Sequence, residues 1–258
     1  MVITDIFGTY FATFTAQDII LMEKERRLEF FVFFALAVFV LNSAFNIFGG
    51  VLHLFYVIVY EGGSYASEQW RPFMADPIVA SSLDEIWSHR WHQLLRSTWL
   101  ALPFRPVLLL GQRWLTKKTR NPLPLALMMA SLSVFVVSGL MHEYLIASNL
   151  GWTVYSRFFV GQQQLFFSMH GVGVLLEKVI YRASRRTFPP SYLDGVFVTQ
   201  VVQRLWVVSI AFYFFPQFLR GFVHWGVHLD NPFQVLRPFV LEALHQVPHA
   251  RDFCGSLL

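Results

Sequence analysis

The chain has 258 residues, of which 55% are apolar and only 14% charged, against roughly 45–50% and about 25% in soluble domains. A soluble fold of this length needs charged groups to coat its surface. With 28 Phe, 9 Tyr and 8 Trp and a mean hydropathy of +0.48, little room is left for such a coat, and the excess apolar surface must face lipid. A net charge of +4, without a long Lys/Arg run or a recognition motif, speaks against a nucleic-acid partner. One cysteine, Cys254, excludes an internal disulfide framework and any cysteine-rich metal site.

The first residues, Met1 to Glu23, lack a basic region ahead of an apolar core, so no cleavable signal peptide is expected and targeting falls to the first span. A membrane-crossing helix needs about 20 mostly apolar residues. Residues 28–48, after Lys24, Arg26 and Arg27, meet that length. Gly49 and Gly50 then interrupt, and residues 51–60 read as a short second helix, with one long tilted helix as the alternative. Residues 61–96 are polar and Trp-rich and form no span. Residues 100–115 carry Pro103, Arg105 and Pro106, which suits a kinked or interfacial helix. The clearest span is 123–146. Residues 158–181 form a third, interrupted by Gln162, Gln163 and Gln164, and residues 196–219 a fourth, with Arg204 and Pro216 near its ends. The stretch from Arg220 onward is apolar in patches and dense in His, and its pattern assigns no span. The expected fold is all-α: a polytopic transmembrane bundle of about four to six membrane helices plus an interfacial Trp/Arg/His helix.

His142 stands out within the strongest span, in the string Val137-Ser138-Gly139-Leu140-Met141-His142-Glu143-Tyr144. An ionisable group there normally faces a bundle interior or an aqueous cavity. Ser138 lies four residues earlier on the same helical face, and Gly139 allows a close approach. A desolvated imidazole stays neutral and can accept a hydroxyl proton. The competing reading is a His that bonds a neighbouring helix for packing alone. A second group lies in residues 81–96, where a helix would put Trp87, Trp91 and Leu94 on one side. Ser82 and Glu85 have capping-box spacing. Arg90 and Arg96 suit phosphates, and His89 or His92 can donate to an acyl carbonyl. Against this stands an interfacial amphipathic helix with a Trp belt and snorkelling Arg.

His224 with His228, and His245 with His249, have the i, i+4 spacing of metal ligands. The first pair lacks the Glu of a zincin motif and Pro248 breaks the second, so interfacial or loop His is the better reading and no metal is expected. His170 and Glu177 lie seven apart, near one helical face; they either line a cavity or pair with polar groups in the bundle.

The segment Trp70-Arg71-Pro72-Phe73, followed by Ser82-Leu83-Asp84-Glu85-Ile86-Trp87-Ser88-His89-Arg90-Trp91-His92 and later by Ser138-Gly139-Leu140-Met141-His142, resembles the wax-synthase-like branch of the membrane-bound O-acyltransferase superfamily. The string from His170 to Glu177 is similar to that branch's next span, and Leu205-Trp206 to the one after it. The resemblance covers about residue 68 to 220. It implies a multi-helix membrane enzyme with His142 as general base and the Trp87–His92 segment lining the reaction chamber. Ile86 stands where Phe is usual, Ser88 where Gly is common, and His92 where many relatives have Asn. Relatives usually carry further N-terminal spans, so an N-terminally short member is expected.

On this reading the chain is one membrane domain, with N-terminal spans in 1–67, an acyltransferase core in 68–220 and a C-terminal segment in 221–258. Its expected reaction moves an acyl group from acyl-CoA to a lipophilic alcohol, with no bound cofactor and acyl-CoA as co-substrate. His142 and His92 are the expected catalytic residues; Trp87, Arg90, Trp91, Ser138, His170 and Glu177 are the expected substrate contacts. An acetyl-CoA-dependent O-acetyltransferase of a terpenoid or polyketide is the alternative. A transporter or an inactive structural remnant is the rival of another class. The endoplasmic reticulum is the expected membrane.

Basic residues set an orientation. Lys117, Lys118 and Arg120 precede one span, Arg182, Arg185 and Arg186 follow the next, and the connection between these spans holds only Arg157. Both clusters, and the N-terminus with Lys24, Arg26 and Arg27, are therefore cytosolic. In sealed microsomes, on a background with Cys254 replaced, a cysteine at Ser184 should react with an impermeant thiol reagent and one at Thr153 should not. The reverse labelling would invert the topology.

Overall fold

The computed structural model describes residues 2–60, 62, 72–189, 195, 201–229 and 235–258. The longer helices, in chain order, are α1 (Val2–Phe11), α2 (Ala16–Glu25), α3 (Arg27–Val59), α4 (Arg105–Thr116), α5 (Leu123–Leu150), α6 (Trp152–Phe158), α7 (Gln162–Thr187), α8 (Gln203–Trp225), α9 (Arg237–Gln246) and α10 (Ala250–Phe253). Short turns of helix connect residues 77–104, and no strand occurs among the described residues. The all-α expectation holds.

Three of these helices, α3, α5 and α8, are long and apolar enough to cross a membrane. In α3 only 11% of the most apolar window is buried within the protein, so its remaining side chains require a lipid solvent. This is a membrane protein. α3 runs unbroken for 33 residues through Gly49 and Gly50; the alternative of one long helix replaces the expected break, because the apolar residues on both sides continue the same helical run. α5 extends the expected span to Leu150. α7 begins four residues later than expected, at Gln162, and carries Glu177, Lys178 and its basic last turn as a continuous helix. Residues 196–200 of the fourth expected span lie outside the described residues; α8 takes up its remainder and continues to Trp225.

Contacts divide the chain into two compact units, Met1–Ile78 with Leu219–Leu258, and Val79–Phe218. In the first, Thr15 and Asp18 make a reciprocal capping box that starts α2. The same Asp18 carboxylate accepts from the amide and hydroxyl of Ser256, and Glu23 pairs with Arg220 at 2.6 Å. The His224 ring meets the Arg220 carbonyl and the His228 ring the Phe14 carbonyl, so each of these two imidazoles is used in a backbone contact.

The second unit is organised around the packing of α7 on α5. A Cβ at Gly139 would stand 2.7 Å from Gln164 Oε1 and 3.0 Å from the Gln164 Cα, so a residue without a side chain is needed where the helices meet. Glu143, one turn later on α5, accepts from the Gln164 amide at 2.9 Å and from the Tyr155 hydroxyl at 2.8 Å. It thus satisfies an amide in the first turn of α7 and joins α5, α6 and α7. Gly139→Val should lower thermal stability in detergent by about 1–3 kcal/mol through overpacking, read as an earlier unfolding transition. An unchanged transition would contradict this packing.

Candidate active site

The segment before α4 is not the single helix expected from its periodicity. Leu83–Glu85 makes one α turn, Ile86–Arg90 a π turn and Gln93–Leu95 a 3-10 turn. Ser82 Oγ accepts from the Glu85 amide at 2.9 Å, as the capping spacing implies. The Glu85 carboxylate, however, turns to the Ser81 amide and hydroxyl rather than to Ser82. The Trp91 amide then bonds the Ile86 carbonyl, five residues back, at 2.7 Å. That wider turn ends the helix. Trp91 is extended and His92 is left-handed, with φ 49° and ψ 50°. Non-glycine residues seldom adopt such a backbone, and where they do a functional constraint is a frequent reason.

Glu177 fixes the start of this segment. Its carboxylate accepts from the Leu83 amide at 2.9 Å, from the Asp84 amide at 3.3 Å and from the Trp206 indole at 2.9 Å. The residue ties α7 and α8 to the turn that carries Trp87. Beneath that turn lies a cluster of Ala80, Leu83, Ile86, Phe135, Val174 and Val207, with Trp87 and Trp91 packed against it.

Above the cluster is a cavity of about 170 Å³. Its wall takes Trp87, Trp91 and His92 from the broken segment and Ser138 and His142 from α5. Five of the eight expected site residues therefore meet at one place, although the members of the two groups are 46 to 55 positions apart in the chain. The His142 Nδ1 lies 2.8 Å from the Ser138 carbonyl oxygen. A carbonyl only accepts, so Nδ1 carries the hydrogen in this bond and Nε2 keeps its lone pair. The ring packs against Phe167, tilted by 35° with centroids 4.4 Å apart. Burial pushes the His92 imidazole below the ordinary histidine range, which keeps it a neutral ring with one donor and one acceptor at neutral pH.

The other three expected substrate contacts sit elsewhere. Arg90 pairs with Glu85 at 2.6 Å. Burial works against the Glu85 charge, yet the Ser81 and Arg90 hydrogen bonds hold its carboxyl below the usual range. His170 is buried between Trp87 and Phe166, with Nδ1 on the Phe166 carbonyl at 2.8 Å, and does not line the cavity. Glu177, committed to its cap, does not line it either. In both cases the side chain faces helix packing rather than open space, the second of the two readings their spacing allowed.

Residues 70–161 match the membrane bound O-acyl transferase family. The chain is 31% identical over 160 residues to "Probable long-chain-alcohol O-fatty-acyltransferase 2" of Arabidopsis thaliana, covering 60% of this chain and 41% of that protein. It is 27% identical over 185 residues to "Probable long-chain-alcohol O-fatty-acyltransferase 7" of the same plant, covering 69% and 48%. The "Long-chain-alcohol O-fatty-acyltransferase" of Simmondsia chinensis is 30% identical over 116 residues, covering 43% and 29%. Over the matched residues the chain is homologous to these wax-synthase-like proteins. It spans less than half the length of these curated relatives, and no solved structure matches it.

The matched region of this acyltransferase homologue includes both arms of the cavity, His92 and His142. Trp70 and Arg71, which open the motif, lie outside the described residues. Several lining residues were missed in the sequence. Ser131, Val134 and Phe135 lie on α5 at helical spacing from Ser138 and His142, a signal that was present. Gln93, Trp99 and Leu100 also line the cavity. They lie in the stretch bounded by two π turns, 86–90 and 100–104, which hydrophobic periodicity does not announce.

Proposed function

We propose that the chain is a membrane O-acyltransferase that moves an acyl group from acyl-CoA to the hydroxyl of a long-chain alcohol, in the membrane of the endoplasmic reticulum. The observation that carries this reading is the meeting of His142 and His92 in one cavity, within the region that matches the family. The relatives are long-chain-alcohol O-fatty-acyltransferases by name, which favours a long-chain alcohol over a terpenoid or polyketide acceptor.

In the proposed step His142 Nε2 takes the proton of the acceptor hydroxyl as its oxygen attacks the thioester carbonyl. His92 donates a hydrogen bond to the oxygen that gains charge. The C–O bond forms, the C–S bond breaks, and the imidazolium returns its proton to the departing CoA sulfur. The Ser138 carbonyl holds His142 in the tautomer the step needs. The Trp87 indole N–H is buried and has no partner among the described residues, which makes it a second donor available to substrate. No covalent acyl-enzyme is invoked: Cys254 lies in the C-terminal tail and the sequence has no G-x-S-x-G elbow.

His142→Ala should lower turnover by about 10²–10⁴-fold with membrane insertion and yield unchanged. Retained turnover would remove the general-base role. His92→Asn keeps a neutral donor and should retain substantial activity, whereas His92→Ala should lose about 10²–10³-fold. If Asn proves as damaging as Ala, the position does proton transfer that an amide cannot replace.

A further inference from the structure

Ser131, Val134, Phe135, Ser138, Met141 and His142 form the α5 wall of the cavity, a single stripe whose ends are eleven helical rises apart and so about 16 Å from end to end. That is close to half of the ~30 Å hydrocarbon core of a bilayer, the extent of one lipid tail. Leu100 and Phe104 are further apolar lining residues. A cavity of about 170 Å³ whose lining residues follow such a stripe suits an unbranched chain and is called the slot below.

Phe135 stands midway along the stripe and its ring is hemmed in behind. Trp87 packs edge-on at 5.8 Å, and the ring shares its buried cluster with Val174 and Val207. On the α7 side there is space only because residue 171 is a glycine. A Cβ there would fall 2.8 Å from Phe135 Cγ, 2.8 Å from Cδ2 and 3.0 Å from Cβ, all closer than van der Waals contact. Since one of these is the root of the side chain, rotating the ring tip would not relieve the clash. Gly171 itself does not line the cavity.

We propose that Phe135, held back from the slot by the absence of a side chain at Gly171, sets the bore of this cavity and thereby the length of straight hydrocarbon chain that the protein accepts. Phe135 is the specificity-determining wall, and Gly171 is a positioning residue that acts through it. A methyl at 171 displaces the ring, and the cavity that Phe135 lines is the open space beside it. Shortening the ring to leucine opens the same place. The proposal rests on the acyltransferase reading for its substrates, but the slot is a property of the fold.

The test uses the full chain in detergent, with wild type, Phe135→Leu, Gly171→Ala and the double variant. Two profiles are recorded against chain length: thermal stabilisation by straight-chain primary alcohols, and turnover. In one turnover series the acyl-CoA is varied at fixed alcohol, and in the other the alcohol is varied at fixed acyl-CoA. Phe135→Leu should move the preference toward longer chains and Gly171→Ala toward shorter ones. The long-to-short ratio should change by about tenfold, as expected for small changes in an apolar pocket. The double variant should return toward wild type, which general loosening of the bundle would not do. The turnover series that shifts identifies whether acyl or alcohol chain occupies the slot. If Gly171→Ala does not fold, Phe135→Leu alone decides. Unchanged profiles in the folded variants overturn the proposal and leave the acyltransferase reading standing. A shifted binding profile in a protein without turnover upholds the slot and overturns that reading.

Discussion

The cavity between the broken segment and α5 depends on a close approach of α5 and α7, which meet at two points where one partner has no side chain. At Gly139 the α7 backbone at Gln164 comes within 3.0 Å of where a Cβ would stand. At Gly171 the relation is reversed, and Phe135 of α5 presses on α7. Glycine inside a helix costs about 1 kcal/mol relative to alanine, and here that cost is offset by packing that only glycine permits. His142 lies one turn beyond Gly139, and its ring rests on Phe167 of α7. The ring contact, the Glu143 bonds to Gln164 and Tyr155, and the α5 wall of the cavity all follow from that approach.

The second constraint is the broken segment between Ser82 and Phe104. A regular helix would keep His92 on a helical face in continuous register with Trp87. The π turn instead ends the helix at Arg90, and the left-handed residue that follows turns the chain. π turns are uncommon and concentrate at functional sites. The later one, Leu100–Phe104, contains Pro103, which has no amide hydrogen to continue the α ladder. Glu177 holds the beginning of the segment through two backbone amides, so this acid supports the segment that lines the cavity and does not line it itself.

Much of this was legible in the residues. The apolar run of α5 and the polar pair Ser138 and His142 within it predict a long helix with one inward face, and the structure has that helix. Composition alone required lipid contact. What periodicity could not convey was local backbone choice. Gly49 and Gly50 read as a break but pass through α3, since glycine weakens a helix without forbidding it. The Trp-rich stretch reads as one amphipathic helix but is three short turns, because a π turn leaves no trace in the spacing of apolar residues. His170 and Arg90 have the chemistry of site residues, yet their partners, a backbone carbonyl and Glu85, are fixed only by tertiary contacts.

The proposed reaction joins an acyl group to an alcohol. The direct measurement is ester formation by the purified protein, followed by mass spectrometry, with a panel of acyl-CoAs and straight-chain primary alcohols. The account predicts the ester and one free CoA for each ester formed. A preparation with an intact thermal unfolding transition that yields no ester with any pair in the panel would contradict it.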